Sequence, residues 1–183
     1  MRTGLVSREA AALVVIDVQE KLFAHMAEKE KLAENVSRLI QFARIIKIPV
    51  ILTEQYPKGL GQTIPQIKVL VPDLKPVEKL EFSCFGSNRF RETFATTQIK
   101  TLILTGIEAH ICVAQTAIEG LEKGFRMCVV EDAVSSRNPQ DKAAATERMR
   151  QSGVTVVSTE MLIYELLGKA GTPEFRETLK LVK

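Results

Sequence analysis

The feature that most constrains this chain is a regular alternation of short, continuously apolar runs with longer stretches of helical periodicity. Ala12-Leu-Val-Val-Ile-Asp17, Pro49-Val-Ile-Leu-Thr53, Thr101-Leu-Ile-Leu-Thr105, Arg126-Met-Cys-Val-Val130 and Val154-Thr-Val-Val157 read as strands, with Val77 to Phe82 as a further one. Between them Glu28 to Lys47 reads as an amphipathic helix, because Leu32, Val36, Leu39, Ile40, Ala43 and Ile46 recur on one face. Further helices are expected over Asn88–Thr97, Cys112–Lys123 (ended by Gly124), Asp141–Ser152 and a terminal stretch, Thr159–Lys183, broken near Gly171 and Pro173. A Pro/Gly-containing loop runs from Tyr56 to about Pro76, long enough to suggest a functional segment. Strands apolar along their whole length need cover on both faces, so the pattern implies a parallel α/β sheet between helices. No repeat or linker divides the chain, and residues 1–183 are expected to form one domain.

Composition excludes several classes of partner. Of 183 residues, 45% are hydrophobic and 26% charged, and the net charge is only +3, with both signs interspersed. Neutralising many phosphates needs a clustered basic face, so no nucleic acid is expected as a partner. The longest apolar run near the start, Ala10 to Ile16, is too short to span a bilayer, and Met1 to Glu9 has no signal-peptide core. Three cysteines, Cys84, Cys112 and Cys128, form an odd and sparse set that fits free thiols in the cytoplasm.

In a doubly wound sheet, ligands bind beyond the carboxyl ends of strands, where the strand order reverses. Two residues of the right chemistry stand at such ends. Asp17 closes the first strand, and Cys112 follows the strand Thr101–Thr105 through the turn Gly106-Ile-Glu-Ala-His-Ile. With Rossmann-like order these two strands are neighbours, and both residues face one crevice. A cysteine at a helix start also meets the positive end of the helix dipole and free backbone N–H groups, which favour thiolate and can stabilise an oxyanion. Cys128, inside a strand, is expected to pack in the core, and Cys84 to pack or line the crevice. Phe23, Gln55, Tyr56 and Phe85 follow strand ends or lie in the long loop, and are expected to line a pocket for a small, partly apolar substrate.

Three blocks resemble the signatures of isochorismatase-like cysteine hydrolases: Val14-Val-Ile-Asp-Val-Gln19, Glu78-Lys-Leu-Glu-Phe-Ser-Cys-Phe85 and Leu104-Thr-Gly-Ile-Glu-Ala-His-Ile-Cys-Val113. Val129-Val-Glu-Asp-Ala133 is similar to the family pattern as well. Leu52-Thr-Glu-Gln-Tyr-Pro-Lys-Gly-Leu-Gly61 and Arg148-Met-Arg-Gln-Ser-Gly153 resemble the subgroup of isochorismatase domain-containing proteins. The resemblance implies a three-layer αβα fold on a Rossmann-like, six-stranded, mainly parallel sheet. It also implies a triad of Asp17 as general acid and base, Lys79 as its electrostatic support, and Cys112 as a nucleophile forming a thioester. With it come an oxyanion hole from the backbone N–H groups of Ile111 and Cys112, and a cis peptide at Ile107–Glu108.

Two departures from family patterns narrow the chemistry. The metal-binding members carry an Asp-x-His pair where this chain has Thr53-Glu-Gln55, and His25 and His110 are the only histidines, so neither metal nor cofactor is expected. Members that cleave a vinyl ether lack the cysteine, whereas Cys112 is present. A metal-free hydrolase of a small amide, ureide or N-carbamoyl compound is the expectation, with a catalytically silent scaffold as the alternative. A phosphatase is disfavoured because Ile118 stands where the arginine six residues after the cysteine is needed. A dinucleotide site is disfavoured because Asp17–Phe23 has no glycine-rich turn. His110 is read as pocket wall or solvent-facing. Self-association into a dimer or larger assembly is expected, through apolar surface on Met161–Leu167 and Ile107–Val113 near the crevice.

Overall fold

The computed structural model describes residues 4–182. Residues 1–3, on which part of the leader reading rests, and Lys183, the last residue of the expected terminal helix, lie outside the described residues. Six strands form one sheet: β1 (Ala11–Ile16), β2 (Val50–Gln55), β3 (Val77–Lys79), β4 (Thr101–Ile107), β5 (Arg126–Ser135) and β6 (Thr155–Val157). Their order is β3-β2-β1-β4-β5-β6, and every neighbouring pair is parallel. The order reverses between β1 and β4, so the Rossmann-like expectation holds. The helices are α1 (Glu20–Phe23), α2 (Lys29–Ile46), α3 (Pro57–Leu60), α4 (Pro65–Lys68), α5 (Asn88–Glu92), α6 (Ala114–Glu122), α7 (Pro139–Gln151), α8 (Thr159–Leu167) and α9 (Pro173–Val182).

Side chains of a strand point alternately to opposite faces, and this divides the core in two. Leu13 and Val15 of β1, with Ile103 of β4 and Cys128 of β5, pack under α2 and α8. Val14 and Ile16 of β1, with Leu102 and Leu104 of β4, pack on the other face under α6 and α7. The result is three layers, and Cys128 sits where the sequence places it, in the core.

Differences from the sequence reading fall at element ends and in the long loop. The expected strand Val77–Phe82 stops at Lys79, and the helix expected from Asn88 ends at Glu92. The loop after β2 holds the short helices α3 and α4, each opened by a proline at its first position, where a missing N–H costs nothing. Cys112 does not start an α-helix. It lies in a π-helical turn, Ala109–Val113, that runs into α6. Nor is Ile107–Val113 apolar surface: Ile107, Ala109, Cys112 and Val113 are buried in the core. On α8, Leu162, Ile163 and Leu166 are buried, leaving Met161 and Tyr164 outside.

At the reversal point β1 and β4 come unusually close. Gly106 has φ +109°, and a Cβ built there would lie 2.0 Å from the carbonyl oxygen of Ile16. Only glycine permits both the conformation and the approach. Gly106→Ala should therefore lower unfolding free energy by at least about 2 kcal/mol, read as a lower urea midpoint. An alanine variant as stable as the parent would contradict this packing.

Candidate active site

Asp17, the residue after β1, has φ +51°, in the left-handed region that aspartate tolerates better than most residues. Its carboxylate stays inside the protein. Lys79 Nζ donates to Asp17 Oδ2 at 2.6 Å, with both side chains completely buried. Thr53 Oγ1 donates to the other oxygen, Oδ1, at 2.7 Å. Lys79 ends β3 at the sheet edge, yet it reaches Asp17 because β2, one strand wide, is all that separates them. The remaining lysine protons meet the backbone carbonyls of Glu81 at 3.1 Å and Phe82 at 3.3 Å. Burial by itself would lower the Lys79 pKa, but attraction to Asp17, and to the Cys84 and Cys112 sulfurs, raises it above its ordinary value. The pair is thus charged and fully hydrogen-bonded.

Cys112 opens onto a cleft of about 140 Å³ walled by Leu22, Leu60, Phe82 and Ile111, with Gln55 and Glu108 as its polar neighbours. The thiol donates to Gln55 Oε1 at 3.2 Å. Burial first, and then the nearby Asp17 carboxylate, push the Cys112 pKa well up, while Lys79 pulls it down by less. Burial and Asp17 thus work against the pull toward thiolate expected at a helix start: Lys79 is matched by Asp17, and the thiol sits within a π turn under protein. Cys84, fully buried behind the site, is pushed up to about 12 by burial, and its backbone N–H donates to Thr116 Oγ1 at 2.9 Å.

The backbone between these groups is clamped. Gln19, completely buried, donates to the carbonyls of Gln55 at 3.0 Å and Gly61 at 2.7 Å, and its Oε1 accepts from the Gln55 N–H at 2.8 Å. Glu54 accepts from both the N–H and the hydroxyl of Thr63 at 2.7 Å, tying the α3–α4 loop to β2. Glu108 Oε2 accepts from the backbone and side chain of Arg137, each at 3.1 Å. The Ile107–Glu108 peptide is cis.

The pocket residues named from the sequence separate. Gln55 lines the cleft at the thiol. Tyr56, 52% exposed, lines a neighbouring groove of about 550 Å³ along β3. Phe23 packs against the α2-side core, and Phe85 is buried with Phe90 and Phe125 in an aromatic cluster, so neither lines the cleft. The N–H of Ile111 donates to the Glu108 carbonyl at 3.1 Å, which leaves it engaged within its own turn. His110 is half-buried, with Nδ1 2.9 Å from Ser136 Oγ. Gln19 and Thr53 were not singled out as site residues from the sequence, although both stand within the quoted motif blocks.

Fold and site together define a Rossmann-like α/β protein with a cysteine, an aspartate and a lysine gathered near the topological switch point. Residues 11–161 match the Isochorismatase domain, and the chain belongs to the isochorismatase family, whose members are generally hydrolases. It is 40% identical to isochorismatase domain-containing protein 2 of Danio rerio over 179 residues, 98% of this chain and 90% of that protein. The structure matches the MAR1 ribonuclease of Caenorhabditis elegans with TM-score 0.90 and 38% identity, over 98% of this chain and 92% of that one. It also matches the Escherichia coli YcaC protein, described as an octameric hydrolase of unknown specificity, with TM-score 0.88 and 25% identity, over 100% and 89% of the two chains. Among the described residues no helix is long and apolar enough to cross a membrane.

Removing one partner of a buried ion pair strands the other charge. Lys79→Ala should cost about 3–5 kcal/mol in urea unfolding, and Asp17→Ala a similar amount. The double variant should cost clearly less than the two single losses together. Strict additivity would show that the pair is not energetically coupled.

Proposed function

We propose that the protein is a metal-independent cysteine hydrolase of a small amide, ureide or N-carbamoyl compound, and that residues 1–183 act as one hydrolase domain. The observation that carries this reading is a buried, fully partnered Asp17–Lys79 pair set beside a cysteine at the end of a small cleft. Asp17 takes the thiol proton as the Cys112 sulfur attacks the substrate's carbonyl carbon. The C–N bond breaks as Asp17 returns that proton to the leaving nitrogen, and a thioester remains. Water then attacks the thioester, gives a proton to Asp17, and the thiol leaves with it. Lys79 keeps the carboxylate in place throughout. Of the two N–H groups expected to receive the oxyanion, that of Ile111 is engaged, so the role falls to Cys112.

The Caenorhabditis elegans relative is called a ribonuclease. Here the residues lining the cleft include no lysine or arginine, and the volume suits a small molecule better than a polynucleotide. Three free, buried cysteines fit a reducing compartment, and we place the protein in the cytoplasm on that ground. Self-association belongs to the same reading. Leu80 and Phe82, 72% and 54% exposed, stand beside the site, and the YcaC relative is octameric.

Two measurements test these proposals. In a screen of small amides, ureides and N-carbamoyl compounds, at least one should be hydrolysed, and Cys112→Ala or Asp17→Asn should lower kcat/KM by about a thousandfold or more. Activity surviving in Cys112→Ala, or cleavage of RNA with no amide turned over, refutes the mechanism. Light scattering on a sizing column should give a mass at least twice the 20.4 kDa of one chain. A peak at the single-chain mass refutes assembly.

A further inference from the structure

Beside the thiol, the polar side chains lining the cleft are Gln55 and Glu108, and each carries acceptor oxygens. Gln55 Oε1 faces the thiol, and its orientation is not free, because Nε2 donates to the Leu80 carbonyl at 3.3 Å. Turning the carboxamide over would set its oxygen against that carbonyl and its NH₂ against the sulfur. The backbone below is equally fixed, since Gln19 holds both the N–H and the carbonyl of Gln55. Glu108, the other polar side chain of the lining, is a carboxylate, and Arg137 reaches only its Oε2. Among the lining residues none is cationic, and the side-chain donors are the thiol and the Gln55 amide, whose Nε2 is engaged with the Leu80 carbonyl. Lys79 lies behind the sulfur, engaged with Asp17.

Resting on the reading of Cys112 as nucleophile, we infer that Gln55 is the specificity-determining residue: its carboxamide oxygen accepts an N–H of a neutral amide or ureide in place of the thiol hydrogen. When the thiol proton leaves for Asp17, Gln55 Oε1 loses its donor inside a mostly apolar cleft. A partly buried acceptor left unmatched is costly, and an N–H beside the electrophilic carbon removes that cost as the sulfur attacks. An ester offers oxygen there and leaves Gln55 unmatched. A substrate carrying a carboxylate next to the reacting carbon brings a third acceptor toward Gln55 and Glu108 with no cation to receive it. The cleft therefore selects uncharged N–H compounds against both.

Alkylation of Cys112 tests this choice without any turnover. Iodoacetamide, methyl iodoacetate and iodoacetate each lose iodide to the sulfur, and differ in whether they bring an N–H, an ester oxygen or a charge. Rates at Cys112, read by peptide mass mapping, are divided by the rates with free cysteine at the same pH. The native protein should favour iodoacetamide over methyl iodoacetate by about tenfold, with iodoacetate slowest. Gln55→Met should bring the amide and the ester to parity, whereas Gln55→Glu, which keeps an acceptor, should retain the amide preference. Comparing reagents on one thiol cancels any change in its acidity. Parity in the native protein overturns the inference even if the variants fail to fold, and an unchanged preference in Gln55→Met overturns the assignment to Gln55. Amide turnover accompanied by parity sinks this inference alone. A clear preference with no amide turned over sinks the hydrolase reading instead.

Discussion

The ion pair between Lys79 and Asp17 is the interaction on which the rest of this site depends. Two charges with no solvent access are tolerated only where their hydrogen bonds are complete. The carboxylate has Lys79 on one oxygen and Thr53 on the other, and the ammonium adds two carbonyls. Those partners come from the ends of three adjacent strands and the turn after β3. Their register sets the pair: Ile16 lies opposite Thr53, and Gln55 opposite Lys79. A slip of one residue in either ladder would turn the lysine to the other face. Three residues of β3 are a short strand, but its last one is tied into the interior by charge.

The sheet supplies the second constraint. Reversal of strand order between β1 and β4 opens the space into which Asp17 and the turn before α6 project. Gly106 lets the two strands approach where they part, and the left-handed turn at Asp17 keeps the carboxylate beneath the crevice. Gln19 and Glu54 then fasten the α3–α4 loop over it. Local backbone strain at such positions persists only because the surrounding bonds over-determine it.

Legibility in the sequence followed the strength of the local pattern. Long apolar runs located the strands, and strand ends located Asp17 and Cys112. Lys79 had no such signal, since a three-residue edge strand has too little periodicity to announce which way a lysine points. Only the family resemblance singled it out. Phe85 was misplaced because an aromatic residue beside a motif looks the same whether it faces a ligand or, as here, Phe90 and Phe125. Gln19 and Thr53 went unread as site residues for another reason. Their roles consist of hydrogen bonds to residues 36 positions away, and separations of that length leave no periodic trace. A helix-start argument counts only the dipole that favours thiolate, and leaves out the burial and the Asp17 carboxylate that oppose it.

That carboxylate explains why a raised thiol pKa suits the proposed chemistry. A resting thiolate would place a second anion beside Asp17 with one lysine to serve both, in surroundings where desolvated like charges repel strongly. Keeping the proton on sulfur leaves one negative and one positive charge, already paired. Passing the proton to Asp17 as the sulfur attacks moves the negative charge from carboxylate toward substrate without creating a new one. Lys79 is close enough to both positions to attract negative charge at either one, so it opposes neither end of the transfer. The barrier then lies in bond formation at carbon and not in separating charge inside the protein. A free thiolate would also be open to any passing electrophile, whereas a protonated one acts only when a ligand fills the cleft and lets the proton move.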